Sequence, residues 1–270
     1  MSCNTNYWEG LEQRRMMSTT LSAGRMLTVN GGAGNDTVSV AALNGVINVF
    51  ENGQHTSFLS SEVAVVSVYG NDGNDTITIG TGVAAARLYG GNGNDRLIGG
   101  PGNDLLAGGA GHDMIKGAGG NDQMFGHAGN DTLYGQSGND RIEGNEGNDS
   151  VFAWEGNDIV LGGNGDDVIH GEQGNDTLRG EAGNDLIFAG AGSDSVYGGA
   201  GNDSIDGGSG EDRLYGEIGN DYLSAADDED DFVYGGDGFD TAVVDKSSWG
   251  VGWIWQPCDT LNLVERSIGA

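Results

Sequence analysis

A period of nine residues governs half of this chain. From Gly90 to Ser224 the register runs without a slip through 15 nonapeptides. Position six is Asp in every copy: Asp95, Asp104, Asp113, Asp122, Asp131, Asp140, Asp149, Asp158, Asp167, Asp176, Asp185, Asp194, Asp203, Asp212 and Asp221. Position four is always Gly, from Gly93 to Gly219, and position eight is always apolar, from Leu97 to Leu223. Position one is Gly except at Ala153 and Ala189, and position five is Asn except at His112, Asp166, Ser193 and Glu211. A helix places apolar residues every three or four positions and a half-buried strand every second one. A period of nine matches neither, so the unit must be one that stacks on copies of itself.

Outlying copies carry the pattern further with irregular spacing. GGAGNDTV (31–38) and GNDGNDTI (70–77) precede the block and GGDGFDTAV (235–243) follows it, adding Asp36, Asp75 and Asp240 to the column. The spacing divides the chain into a flexible leader (1–24), irregular N-terminal coils (25–89), the regular block (90–224) and a last coil with a C-terminal cap (225–270). The 39 residues from Asp36 to Asp75 are expected to hold further, widened coils.

Glycine supplies positive φ without steric cost, so Gly-x-x-Gly-Asn-Asp reads as a turn. The three residues after it, such as Thr132-Leu133-Tyr134, suit a short strand whose middle side chain points inward. Turn, strand, turn, strand gives one coil per 18 residues, an all-β solenoid with like strands stacked in parallel. Its core is thin. Two inward side chains contribute roughly 3–6 kcal/mol per coil, whereas backbone entropy costs about 1–2 kcal/mol per ordered residue. Packing alone is insufficient.

The Asp column indicates what else holds the turns. Stacking brings carboxylates to about 4.8 Å spacing along each edge, where they repel unless cations intervene. Oxygen donors favour a hard divalent ion; Ca²⁺ accepts six to eight oxygens in flexible geometry, whereas Mg²⁺ demands a tighter octahedron. No paired Cys or His spacing supports zinc. Eight Asp on one edge and seven on the other leave room for about 13 Ca²⁺ ions or more. That charge would offset most of the formal net charge of −30.

The run GGNGNDRLI, GGPGNDLLA, GGAGHDMIK (90–116) resembles the calcium-binding repeat of RTX (repeats-in-toxin, hemolysin-type) proteins. With the outlying copies the resemblance covers residues 31–243. It implies a right-handed parallel β-roll that folds on binding calcium, in bacterial proteins exported unfolded through type I secretion. It also implies that the Asp residues named above, Asp36, Asp75 and Asp240 included, hold the ions together with turn carbonyls. Residues 1–24 lack the charged-then-apolar start of a signal peptide, which type I export would explain. DTLNLVERSIGA (259–270) is a candidate export signal.

Composition narrows the function. A sequence pI near 4.1 opposes binding to nucleic acid or anionic lipid, and no apolar run reaches transmembrane length. Cys3 and Cys258 lie at opposite ends of the stack, too far apart for an internal disulfide. WGVGWIWQPCDTLNLVE (249–265) reads as a cap over the last coil, and the acidic run 227–231 as a solvated loop rather than an extra ion site. There is no His-Glu-x-x-His and no Gly-x-Ser-x-Gly. His55, His112, His127 and His170 do not share a repeat position, and the chain reads as non-catalytic. Position three carries no Thr ladder of the kind ice binding requires.

One outward face gathers Met114, Tyr134, Phe152, Val168, Leu186 and Phe188 on neighbouring coils. Cross-strand pairing accounts for it; a patch for a glycan, a cell surface or self-association is the sharper alternative. The expected function is a secreted or cell-surface calcium-binding structural or adhesive protein. The alternative is a non-catalytic module of a secreted enzyme or hemolysin-like toxin.

Overall fold

A computed structural model describes residues 18–22, 25–227, 229–245 and 260–264. The expectations placed on Cys3, Cys258, most of the aromatic cap segment and the tail beyond residue 264 lie outside these residues. The described chain holds 26 strands and one 3-10 turn, Ser60–Glu62, and no α-helix. Among the described residues no helix is long and apolar enough to cross a membrane.

The N-terminal coils comprise β1 (Ser18–Leu21), β2 (Met26–Asn30), β3 (Thr37–Leu43), β4 (Val46–Glu51), β5 (Gln54–Leu59), β6 (Val65–Asp72), β7 (Thr76–Ile79), β8 (Ala86–Asn92) and β9 (Arg96–Ile98). From β10 (Leu105–Ala110) to β22 (Arg213–Ile218) every strand has six residues. β23 (Tyr222–Ala225), β24 (Phe232–Asp237), β25 (Thr241–Asp245) and β26 (Thr260–Val264) follow. β1, β2 and the even-numbered strands from β6 to β24 form a sheet of 12, with β6 next to β2. The other strands form a sheet of 14. Within each sheet the regular strands pair in parallel with the strand 18 residues on, as in Leu106 opposite Met124 and Leu133 opposite Val151. The result is the expected β-solenoid. Every position-eight side chain from Leu97 to Leu223 is at most 1% exposed, forming one continuous core.

The strands are longer than the three residues expected. From β10 to β22 each runs from position seven to position three of the next repeat, so Thr132–Ser137 is a single strand in which Leu133 and Gly135 both face inward. The turn is only Gly-Asn-Asp. Position-one Gly was expected to serve the turn through positive φ, yet its role is to lack a Cβ. A Cβ on Gly135 would lie 2.5 Å from Asp140 Oδ2 and 2.6 Å from the Ala153 carbonyl oxygen. Left-handed backbone appears one residue later, at Gln136 (φ 77°), Trp154 (φ 81°) and Glu172 (φ 75°). The ladder skips position one at this kink, pairing Tyr134 with Phe152 and then Gln136 with Trp154.

The N-terminal coils differ from expectation in two ways. β1 lies within the expected leader, and it pairs antiparallel with β2. The stretch from Asp36 to Asp75 closes one coil rather than two, because β3 pairs directly with β7 in parallel. The remaining length forms an antiparallel excursion, β3 to β4 to β5, at the end of the larger sheet.

Candidate metal centre

The turn after each strand delivers the position-six Asp to the roll's edge with its carboxylate folded back under the strand. Oδ1 accepts the backbone N–H of the Asp one coil earlier: Asp95 N to Asp113 at 2.7 Å, Asp122 N to Asp140 at 2.8 Å, Asp149 N to Asp167 at 2.7 Å. Position five bonds in the opposite sense, its side-chain oxygen accepting from the coil that follows, as Asn121 N donates to Asn103 at 2.9 Å. His112 joins that ladder through Nδ1, which accepts the Asn130 N–H at 2.8 Å. Every regular turn is thus tied to both neighbours.

Two Asp columns result. One runs through Asp36, Asp75, Asp95, Asp113, Asp131, Asp149, Asp167, Asp185, Asp203, Asp221 and Asp240, each linked to the next by such a bond. The other runs through Asp104, Asp122, Asp140, Asp158, Asp176, Asp194 and Asp212. It then continues to Asp231, whose Oδ1 accepts the Asp212 N–H at 2.9 Å. Asp231 is buried, which corrects its assignment to a solvated loop. Its signal was available: it stands nine residues before Asp240, with Val233 in the apolar slot and Gly235 at position one. The acidic run around it, lacking Gly-Asn, hid it.

The second oxygen carries the chemistry. Oδ2 of Asp75, Asp95, Asp113, Asp122, Asp131, Asp140, Asp149, Asp158, Asp167, Asp176, Asp185, Asp194, Asp203 and Asp221 is buried without a hydrogen-bond partner. Two turns differ. Asp104 Oδ2 accepts the Gly100 N–H at 2.7 Å and Asp36 Oδ2 accepts the Gly32 N–H at 2.6 Å. In both, position two is not left-handed, so its N–H reaches the carboxylate. Among the described residues no Lys or Arg pairs with any column Asp from Asp36 to Asp221; the ion pairs there are Arg141 with Glu143 and His170 with Glu172.

Burial therefore drives these carboxyls upward in pKa. The largest cause is loss of solvent; hydrogen bonds from the neighbouring coil oppose it and adjacent carboxylates add to it. Asp122 and Asp212 reach about 8. Asp131, Asp167, Asp176 and Asp221 reach about 7. Asp75, Asp95, Asp140, Asp149, Asp158 and Asp185 reach about 6. An orphaned, desolvated carboxylate column costs free energy unless a cation meets it.

The donor set fits a hard divalent ion. Backbone oxygens stack beside the Asp column: a Cβ on Gly135 would touch the Ala153 oxygen, and one on position-four Gly120 would lie 2.6 Å from the Gly102 oxygen. No three His, Cys, Asp or Glu side chains converge among the described residues. A site here must draw on carbonyls, which suits calcium and not a thiolate- or imidazole-seeking metal. The orphaned Oδ2 atoms are where such an ion would be held, neutralising charge and cross-linking turns.

The outward aromatic face is a stack. Tyr134, Phe152, His170 and Phe188 lie at centroid separations of 5.3, 4.8 and 4.8 Å, with rings within 19° of parallel. Each inner ring has both faces occupied. Met114 and Leu186, more than a third exposed, flank it.

Comparison with curated proteins gives no match. The family model for the RTX calcium-binding nonapeptide repeat matches residues 28–47, 67–83, 89–124, 125–160, 134–169, 161–196, 188–223 and 225–242. These stretches span more than half of the chain and contain every Asp of both columns. With the nonapeptide, the solenoid and the orphaned carboxylates agreeing, the chain belongs to the RTX calcium-binding nonapeptide repeat family.

Proposed function

We propose that this chain is a secreted or cell-surface structural β-roll whose folding is switched on by extracellular calcium. The observation that carries the reading is the two columns of buried Asp Oδ2 atoms without hydrogen-bond partners. On this reading the column residues Asp36 to Asp240, with Asp231 now added, hold Ca²⁺ jointly with turn carbonyls, and no residue performs catalysis. Family membership supports export by type I secretion, with the exporter as a partner. No partner is assigned to the aromatic face, whose rings cover one another.

The switch follows from mass action. A site with Kd about 10⁻⁴ M in calcium of about 10⁻³ M stabilises the folded state by about 1.4 kcal/mol, whereas calcium of about 10⁻⁷ M contributes almost nothing. Summed over many intervals, the difference separates a chain that stays extended before export from one that locks outside. Circular dichroism of the purified chain in EGTA and then in excess calcium tests this. A strand spectrum should appear on calcium addition; a full strand spectrum in EGTA would refute the switch.

A further inference from the structure

The longer Asp column does not simply stop at Asp36. Within the roll each Asp receives an N–H on Oδ1 and gives its carbonyl to the next coil: Asp36 N donates to Asp75 Oδ1 at 2.7 Å, and Thr76 N donates to the Asp36 carbonyl at 2.8 Å. Among the described residues no further coil precedes Asp36, and Asn52 takes its place. Its Nδ2 donates to Asp36 Oδ1 at 2.8 Å and its Oδ1 accepts the Thr37 N–H at 2.7 Å. One carboxamide thus supplies both the donor and the acceptor of the missing peptide.

Glu51, its neighbour, ends β4 opposite Val38 and faces the interior. It is 7% exposed. Oε2 accepts the Thr19 hydroxyl at 3.0 Å, and Oε1 is buried with no partner. Its ladder partner Val38 stands two residues after Asp36, and both are buried, which sets Glu51 beside the Asp36 turn; among the described residues no Lys, Arg or His pairs with it. Glu51 therefore repeats at the end of the roll what 14 of the column Asp residues, Asp75 and Asp95 among them, show within it: a buried carboxylate with one oxygen bonded and one bare.

We propose that Glu51 and Asp36 form a terminal divalent-cation site that closes the longer column and pins the β3–β5 excursion to the roll. This rests on the calcium reading of the columns. Thr19, on β1 of the opposite sheet, orients the Glu51 carboxylate, so the ion would tie the ends of both sheets together.

Native mass spectrometry of the full chain in excess calcium counts the ions directly. Glu51→Gln keeps the shape and the Thr19 contact while removing the charge; it also mimics a Glu51 that merely carries its own proton. The variant should bind one ion fewer than the parent chain. An unchanged count would overturn the site. Asp36→Asn gives an independent reading: a loss of two ions, from the terminal site and the Asp36–Asp75 interval, supports the proposal, and a loss of one overturns it. If the parent chain itself retains no calcium, the functional reading fails instead, a separate outcome.

Discussion

The N-terminal coils and the regular block close the same edge of the roll by opposite means. In the regular block the second edge carries Asp at position six and, except for Ala153 and Ala189, Gly at position one. In the N-terminal coils the position-six slot on that edge is filled by Leu27, Val66 and Ala86, aligned in register with one another and with Asp104. Position one there is Val40 and Ile79, and all five are buried. The two changes belong together. A regular Asp folds its carboxylate into the space a position-one Cβ would take, as Asp140 does at Gly135. Without the carboxylate, that space is filled by a branched apolar side chain. The N-terminal edge is held by apolar burial, about 1.5–3 kcal/mol for each large side chain; the regular edge depends on charge neutralisation. Only the longer Asp column crosses both regions.

That exchange rule can be broken by substitution. Ala86→Asp places a carboxylate against Ile79, with no Gly to receive it, and should cost about 3–5 kcal/mol as an uncompensated buried charge. Adding Ile79→Gly should recover much of this loss in excess calcium, measured by chemical denaturation. Failure of the pair to recover would separate the two positions. In the regular block, Gly135→Val should destabilise by about 1–3 kcal/mol through overpacking. Combining it with Asp140→Ala should show a favourable coupling of about 0.5–3 kcal/mol in a double-mutant cycle; strict additivity would contradict the shared space.

Acidity sharpens the comparison with a smaller effect. The 12 column carboxyls named above are raised to between about 6 and about 8 in the folded chain from an ordinary value of 3.8. A raised folded pKa means the folded state holds its protons more tightly, so this stabilisation is complete below the unfolded value. It is lost as pH rises through about 6 to about 8. Metal-free chain should therefore gain stability on acidification from pH about 8 to about 5, mostly in the regular block. Calcium should abolish that dependence near neutrality. Thermal melts in chelator across this range check the sign.

Much of this was legible in the sequence because the repeat fixes register: Asp at six and an apolar residue at eight identified both columns and the core line from Leu97 to Leu223. Glycine was the ambiguous letter. It can mean positive φ, as at Gly138 (φ 125°), or a missing Cβ, as at Gly135, and sequence does not distinguish them. The strands consequently looked half their length. Asp231 was obscured because its turn keeps the Asp and loses the Gly-Asn before it. Asn52 and Glu51 lie in no repeat; their roles arise from a hairpin that folds back on the first coil, which spacing alone rendered as additional coils.

Hydrogen-exchange mass spectrometry of the whole chain, with calcium and with EGTA, tests the central claim most directly. With calcium, β2 to β24 should be protected throughout. In EGTA, peptides from β10 to β22 should exchange rapidly while those from β2, β3, β6 and β7 keep measurable protection. Equal protection of the regular block in both conditions would show that its orphaned carboxylates need no cation.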